Sequence, residues 1–211
     1  MNEITNTYPA SLSIDYPKKL NRLTTFFRIF MVIPIYFLLI FLTGGVFNIS
    51  DYMEQGKDII ISTGGFVMIP TILMILIRQK YPKWWFDWNL ALLKFSNRVT
   101  AYALLLRDEY PSTDEDQAIH IDIKYPDVKN ELNRWLPLVK WFLALPHMIV
   151  LFFLFLAVII CTIISWVIIL FTGNYPKSIF DFVVGVGRWS LRVYVYAFML
   201  TTDQYPPSSL S

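Results

Sequence analysis

An aspartate, two basic residues and a tyrosine recur in this chain at one fixed spacing: Asp181, Arg188, Arg192 and Tyr196, and earlier Asp87, Lys94, Arg98 and Tyr102. On a helix turning by about 100° per residue, the acid and both bases fall within about 40° of one another, and the tyrosine lies some 60° from the acid. Such a stripe supports two kinds of chemistry. In one, the carboxylate pairs with the bases inside the protein and orients the helix. In the other, the bases form a surface for anionic lipid headgroups, each exposed cation contributing on the order of 1 kcal/mol. Arg22 and Arg134, each preceded by an asparagine, are repeated as well and fall on the same candidate surface.

Other chemistries find little to work with. His120 and His147 are the only histidines, they stand apart from each other and from the single Cys161, and no metal motif is legible. Gly44-Gly45 and Gly64-Gly65 lack the Lys-Ser/Thr that a phosphate-cradling loop requires. No metal, cofactor or nucleic acid is expected. His147 sits inside an apolar run and is a candidate intramembrane polar site, because ionisable groups in hydrocarbon are functional by default. Tyr-Pro occurs seven times, which reads as proline ending an element while tyrosine anchors at headgroup level.

The elements that position these residues are apolar. The chain is 55% hydrophobic and 16% charged, with a mean hydropathy of +0.48, which excludes an ordinary soluble domain. Phe26 to Phe47, Ile59 to Ile77 and Leu138 to Phe171 are nearly free of ionisable groups, and a bilayer needs about 20 such residues per helix. No cleavable signal peptide precedes the first of them, so that span itself directs insertion. Of the 18 Lys and Arg, all but Lys57 fall in segments that four spans would leave on one side. The positive-inside rule then places both termini in the cytoplasm of a multi-pass protein of the bacterial inner membrane.

The chain also repeats itself. Leu20-Asn21-Arg22 through Pro34 returns as Leu132-Asn133-Arg134 through Pro146, and Tyr81-Pro82-Lys83-x-x-Phe86-Asp87 returns as Tyr175-Pro176-Lys177-x-x-Phe180-Asp181. Two tandem units follow: residues 1–107, an acidic linker at 108–118, and residues 119–211. Leu138 to Phe171, at 34 residues, is too long for one straight span and reads as two short spans with a tight apolar turn. The first unit carries the same hairpin with an extracytoplasmic insertion at about 46–63. Two charges make the following segment an expensive span, at roughly 2.5 to 3.5 kcal/mol each, so it reads as an amphipathic interfacial helix, with a helix packed into the bundle as the competing reading. Alternating Leu12, Ile14, Tyr16 and Ile119, Ile121, Ile123, Tyr125 predict a short cytoplasmic β-strand before each hairpin, and the two strands could pair.

The run Leu170-Phe171-Thr172-Gly173-Asn174-Tyr175-Pro176-Lys177-Ser178-Ile179-Phe180-Asp181, continuing to Val193, resembles the bacterial membrane-protein family known as domain of unknown function forty-three eighty-nine. Leu20 to Arg28, Leu145-Pro146-His147 and Thr202-Asp203-Gln204-Tyr205-Pro206-Pro207 carry the same resemblance. The first unit departs from it, with Arg78-Gln79-Lys80 replacing Thr-Gly-Asn and Ile35 standing where the second has His147. The resemblance implies a multi-span fold and transfers no chemistry. The expected protein is all-α and integral to the membrane, built of two tandem transmembrane helical hairpins, four spans in all. Its expected function is non-catalytic: an accessory or scaffold subunit of a membrane complex, or a lipid-organising protein. The expected partners are the lipid bilayer, including anionic lipid, and a membrane protein or a second copy of the chain. A small transporter or channel is the alternative, and an enzyme comes third for want of a nucleophile, base and metal set.

Overall fold

A computed structural model of the chain describes residues 8–43, 46–48, 60–62 and 68–211. Alternation of apolar and polar residues makes two of its strands. β1 (Ala10–Ile14) pairs antiparallel with β4 (Ile119–Ile123), Leu12 opposite Ile121. Ala10, Leu12, Ile119, Ile121 and Ile123 are buried on the inner face, while Ser11, Ser13, His120 and Asp122 look outward. The period of two thus puts one face of the ribbon on the core. The two strands expected from the sequence do pair with each other.

The remainder is mostly helical. α1 (Arg22–Thr43) is followed by a short antiparallel pair, β2 (Val46–Asn48) and β3 (Ile60–Ser62), then by α2 (Met68–Arg78), whose last turn widens into a π-helix, and α3 (Lys83–Ala103). After β4 come α4 (Pro137–Leu143), α5 (Leu145–Thr172) and α6 (Lys177–Tyr194), the last extended by a π-helical turn to Met199. β1 packs on α6 and β4 on α3, so each strand lies against the helix that follows the other half's apolar segment. α1 and α5 run side by side in opposite directions. Trp166 near the end of α5 donates to the Thr25 carbonyl near the start of α1 (3.1 Å), and the Leu20 N–H donates to the Gly173 carbonyl (2.9 Å).

The tight apolar turn expected within Leu138 to Phe171 is not formed. The chain breaks at Ala144 and then continues as one helix of 28 residues, about 42 Å long. Between His147 and Thr172 the sequence offers no glycine, proline, asparagine or aspartate to turn on. A turn there would also strip several backbone groups of partners in apolar surroundings, where each is costly. The helix therefore persists until Gly173 adopts φ 75°. The second expected span, Ile59 to Ile77, is likewise not one span-length helix. Its described residues form β3 and the 11 residues of α2, half of what a crossing needs. β2 and β3 fall within the expected insertion, while 49–59, 63 and Lys57 lie outside the described residues.

Among the described residues two helices are long and apolar enough to cross a membrane, α1 over Arg22–Ile40 and α5. The cations do not gather at one end of α5. Lys177 follows its C-terminus and Arg22 lies beside Gly173, whereas Arg134 and Lys140 precede its N-terminus.

Candidate functional site

The chemistry of this molecule centres on cations taken out of solvent. Arg28, in the second turn of α1, has a side chain only 2% exposed. Its guanidinium lies 4.4 Å over the Tyr102 ring, donates to the carbonyls of Tyr102 (3.2 Å) and Arg107 (2.7 Å), and pairs with Asp108. Asp108 also accepts the Asn21 N–H at 2.6 Å, and the Asn21 side chain accepts the Leu23 N–H at 2.9 Å. One carboxylate thus closes the start of α1 and neutralises the charge within it.

The same arrangement recurs on α4. Lys140, fully buried, donates to the Thr202 carbonyl (2.7 Å), pairs with Asp203 (2.6 Å) and sits 5.3 Å from the Tyr196 ring centroid. Asp203 accepts the Asn133 N–H at 2.5 Å, and Asn133 accepts the Trp135 N–H at 2.9 Å. Both carboxylates reach their cations through one backbone device. Leu105 and Leu200 are buried in the left-handed region, at φ 64° and 60°, and reverse the chain after α3 and α6. A leucine there costs about 1 to 2 kcal/mol, so packing and the ion pair must hold it.

A second set of contacts joins the halves. The Tyr16 hydroxyl donates to the Tyr175 carbonyl and the Tyr125 hydroxyl to the Tyr81 carbonyl. Tyr16 meets Phe180 edge-on at 5.0 Å and Tyr125 meets Phe86 edge-on at 5.1 Å. The terminal tyrosines of both strand segments therefore act as latches onto the opposite half.

The repeated stripe divides in this structure. Its acids face outward: Asp87 pairs with Lys83 at 2.8 Å and Asp181 with Lys177 at 2.6 Å, both one helical turn back and exposed. Among the described residues neither acid joins the bases of its own stripe, so the internal pairing of Asp181 with Arg188 or Arg192, one of the two readings of the stripe, is not formed. A lysine four residues N-terminal supplies a closer partner than an arginine seven or eleven residues on. The bases turn inward instead. Arg188 donates to the Leu12 carbonyl of β1 (3.0 Å), Arg192 to the carbonyls of Ser209 (3.2 Å) and Ser211, and Arg98 to that of Ser112 (2.9 Å). Burial, together with Arg188, lowers the Arg192 pKa. Lys94 lines a small cleft with Arg98, Asp116 and Asp122. Arg134 donates to the carbonyls of Leu76 and Ile77 (3.5 Å to the latter), while Arg22 is exposed beside Gly173.

His147 is buried on α5. Its Nδ1 accepts the Trp189 indole N–H at 3.0 Å, its ring centroid lies 4.8 Å from that of Tyr205, and its Nε2 is buried without a hydrogen-bond partner among the described residues. Since Nδ1 accepts, the ring proton belongs on Nε2.

Sequence reasoning missed the buried pairs, although a signal was present. Arg28 and Lys140 each stand seven residues past the repeated asparagine, as lone cations at the head of an apolar run. Their carboxylates follow the stripe tyrosines by six and seven residues.

These features define a mostly helical protein in which buried ion pairs tie α1 and α4 to the segments that follow the amphipathic helices α3 and α6, beside a two-stranded ribbon. Within it, residues 135–209 match the family model described as Domain of unknown function (DUF4389). The match spans α4 to the segment after α6 and takes in Lys140, Asp203, His147 and Trp189. No curated protein and no solved structure matches this chain.

Proposed function

We propose that this is a non-catalytic integral membrane protein that organises lipid around a rigid helical scaffold and serves as an accessory subunit. The observation that carries the reading is the outward face of α1 and α5. Phe26, Ile29, Phe30, Ile33 and Phe37 on α1, and Phe152, Phe153, Ile160, Ile163 and Phe171 on α5, are all roughly half exposed or more. Fully burying one such side chain is worth about 1.5 to 3 kcal/mol, so leaving ten of them half exposed or more in water forfeits a sum comparable to the 5 to 15 kcal/mol that holds a typical domain folded. Hydrocarbon removes that penalty. Exposed Trp84, Trp88, Trp135 and Trp141 suit the adjoining headgroup layer.

The reading includes a duplicated unit. Asn21, Arg28 and Ile35 stand 112 residues before Asn133, Lys140 and His147, and Tyr102 stands 94 before Tyr196. What supports it is that Arg28 with Tyr102 and Lys140 with Tyr196 make counterpart contacts in the two ion pairs, and Tyr16 and Tyr125 in the two latches. The one-sided placement of cations is revised. If α5 crosses straight, Trp135 and Asn174 emerge on opposite faces, and the basic residues flank both interfaces.

Labelling with a membrane-impermeant maleimide tests this in Cys161→Ala carrying either Trp135→Cys or Asn174→Cys. Opposite accessibility in sealed vesicles is expected. Equal accessibility of the two positions rules out a straight crossing by α5, and complete extraction of the protein by alkaline carbonate overturns the membrane reading itself.

A further inference from the structure

Between α3 and α6, on the side facing α1 and α5, lies a cavity of about 750 Å³. That volume falls in the range of sites that enclose a small molecule, roughly 300 to 1,000 Å³. Its depth is apolar, formed by the buried side chains of Val158, Val183, Val186 and Leu191. Among the described residues no charged side chain lines it, although cations of the stripe lie on the same two helices. Its exposed rim includes Phe155 of α5 and Thr43 at the end of α1. Through Phe155 the lining is continuous with the outward apolar face of α5.

The wall also carries uncharged polar groups at matching places on both helices. Ser96 and Ser190 stand 94 residues apart, as do Thr100 and Tyr194. Ser190 and Tyr194 lie one turn apart on α6, and neither hydroxyl has a hydrogen-bond partner among the described residues. Burial holds the Tyr194 phenol in its neutral, donating form. A ligand here would bury hydrocarbon and accept hydrogen bonds while bringing no charge into the cavity. An acyl chain with its ester group has that chemistry, and the phosphate stays outside.

We infer that this cavity between α3 and α6 holds one acyl chain of a membrane phospholipid, with the ester region at Ser190 and Tyr194. The inference rests on the membrane reading above and names what a lipid-organising protein would hold. A chain seated there fills the space between the amphipathic layer and α1 and α5, so the lipid acts as part of the scaffold.

The test uses the full chain in vesicles of phosphatidylethanolamine and phosphatidylglycerol, doped with a phosphatidylcholine whose acyl chain ends in a diazirine. Photolysis and peptide mapping are expected to place adducts on residues 92–100 and 183–194 as well as on α1 and α5. Filling the cavity from either wall, with Ser190→Phe or Ser96→Phe, should lower the α3 and α6 adducts about tenfold and leave those on α1 and α5 unchanged. Two independent variants guard against one that fails to fold. Adducts confined to α1 and α5 in the unaltered protein overturn the cavity while leaving the membrane reading intact. So do α3 and α6 adducts that persist undiminished in both filled variants. Absence of adducts everywhere removes the membrane reading instead.

Discussion

The two halves solve one problem with different residues. At the head of the first apolar helix Arg28 offers several donors, and it shares them among two carbonyls and Asp108 under the Tyr102 ring. At the corresponding place in the second half, Lys140 offers a point charge to one carbonyl and Asp203, with its ring farther off, at 5.3 Å against 4.4 Å. Seven residues further along, about two helical turns, Ile35 packs with Phe95 and Val99 in a small apolar cluster, whereas His147 bonds Trp189. The first half is held by a multidentate cation above an apolar contact. The second is held by a simpler cation above a polar one. Buried charge is tolerated in either form, provided a carboxylate follows a left-handed leucine back to it.

The largest expected effect comes from removing the carboxylates. Asp203→Asn removes the negative charge facing Lys140 and leaves one acceptor oxygen where Lys140 and the Asn133 N–H had one each. A buried cation stripped of its partner costs on the order of 3 to 5 kcal/mol. Asp108→Asn should cost less, because Arg28 keeps the Tyr102 and Arg107 carbonyls and the closer ring. Thermal unfolding in detergent checks the order. Lys140→Met combined with Asp203→Asn should recover part of the loss, as contacting pairs couple by about 0.5 to 3 kcal/mol. Equal losses at the two aspartates would mean that the extra donors of Arg28 contribute nothing.

Exchanging the polar contact for the apolar one is the middle case. His147→Ile strands the Trp189 indole N–H, a buried donor whose loss of a partner costs about 1 to 3 kcal/mol. Adding Trp189→Phe removes that donor and rebuilds the isoleucine and phenylalanine of the first half, so the double variant should recover most of the melting temperature. If the double variant is no better than His147→Ile alone, the indole bond is not what His147 contributes, and its buried Nε2 becomes the atom to explain.

The sequence made some of this legible and hid the rest for physical reasons. The strands were readable because period two with β-branched residues has few other interpretations, and Leu12 opposite Ile121 bears that out. The spacing of the stripe was readable as well. Its partners were not, since periodicity gives the face of a helix and is silent about what covers it. Arg188 and Arg192 face a strand and a terminal segment far away in sequence. The unbroken α5 was hidden for another reason. An apolar run carries no internal punctuation, so length alone suggested a turn, while the backbone, lacking any residue to turn on, continues the helix. Gln79 shows the converse, adopting φ 46° where the second half has Gly173. Arg28 and Lys140 were visible as cations near spans, but which cation is buried depends on Leu105 and Leu200, whose left-handed turns no residue type announces.

The smallest effect belongs to the two acids that the repeat made most conspicuous. Asp87 and Asp181 pair with Lys83 and Lys177 on exposed faces, with side chains 50% and 58% exposed. Helical pairs of that kind contribute about 0.3 to 0.5 kcal/mol and weaken with salt. Asp87→Asn and Asp181→Asn should therefore shift the melting temperature slightly and alike, and the shift should vanish at high ionic strength. Arg188→Gln makes the contrast, because it removes the Nε–H donated to the Leu12 carbonyl and loosens β1 from α6. Proteolysis near residues 8–14 reads that release directly, and it should rise in Arg188→Gln while remaining unchanged in Asp181→Asn. If Asp181→Asn instead destabilised as much as Arg188→Gln, and both together no more than either, the aspartate would have to act on the arginine after all. The two halves would then be tied by charge along the helix, and the carbonyls of the ribbon would be bystanders.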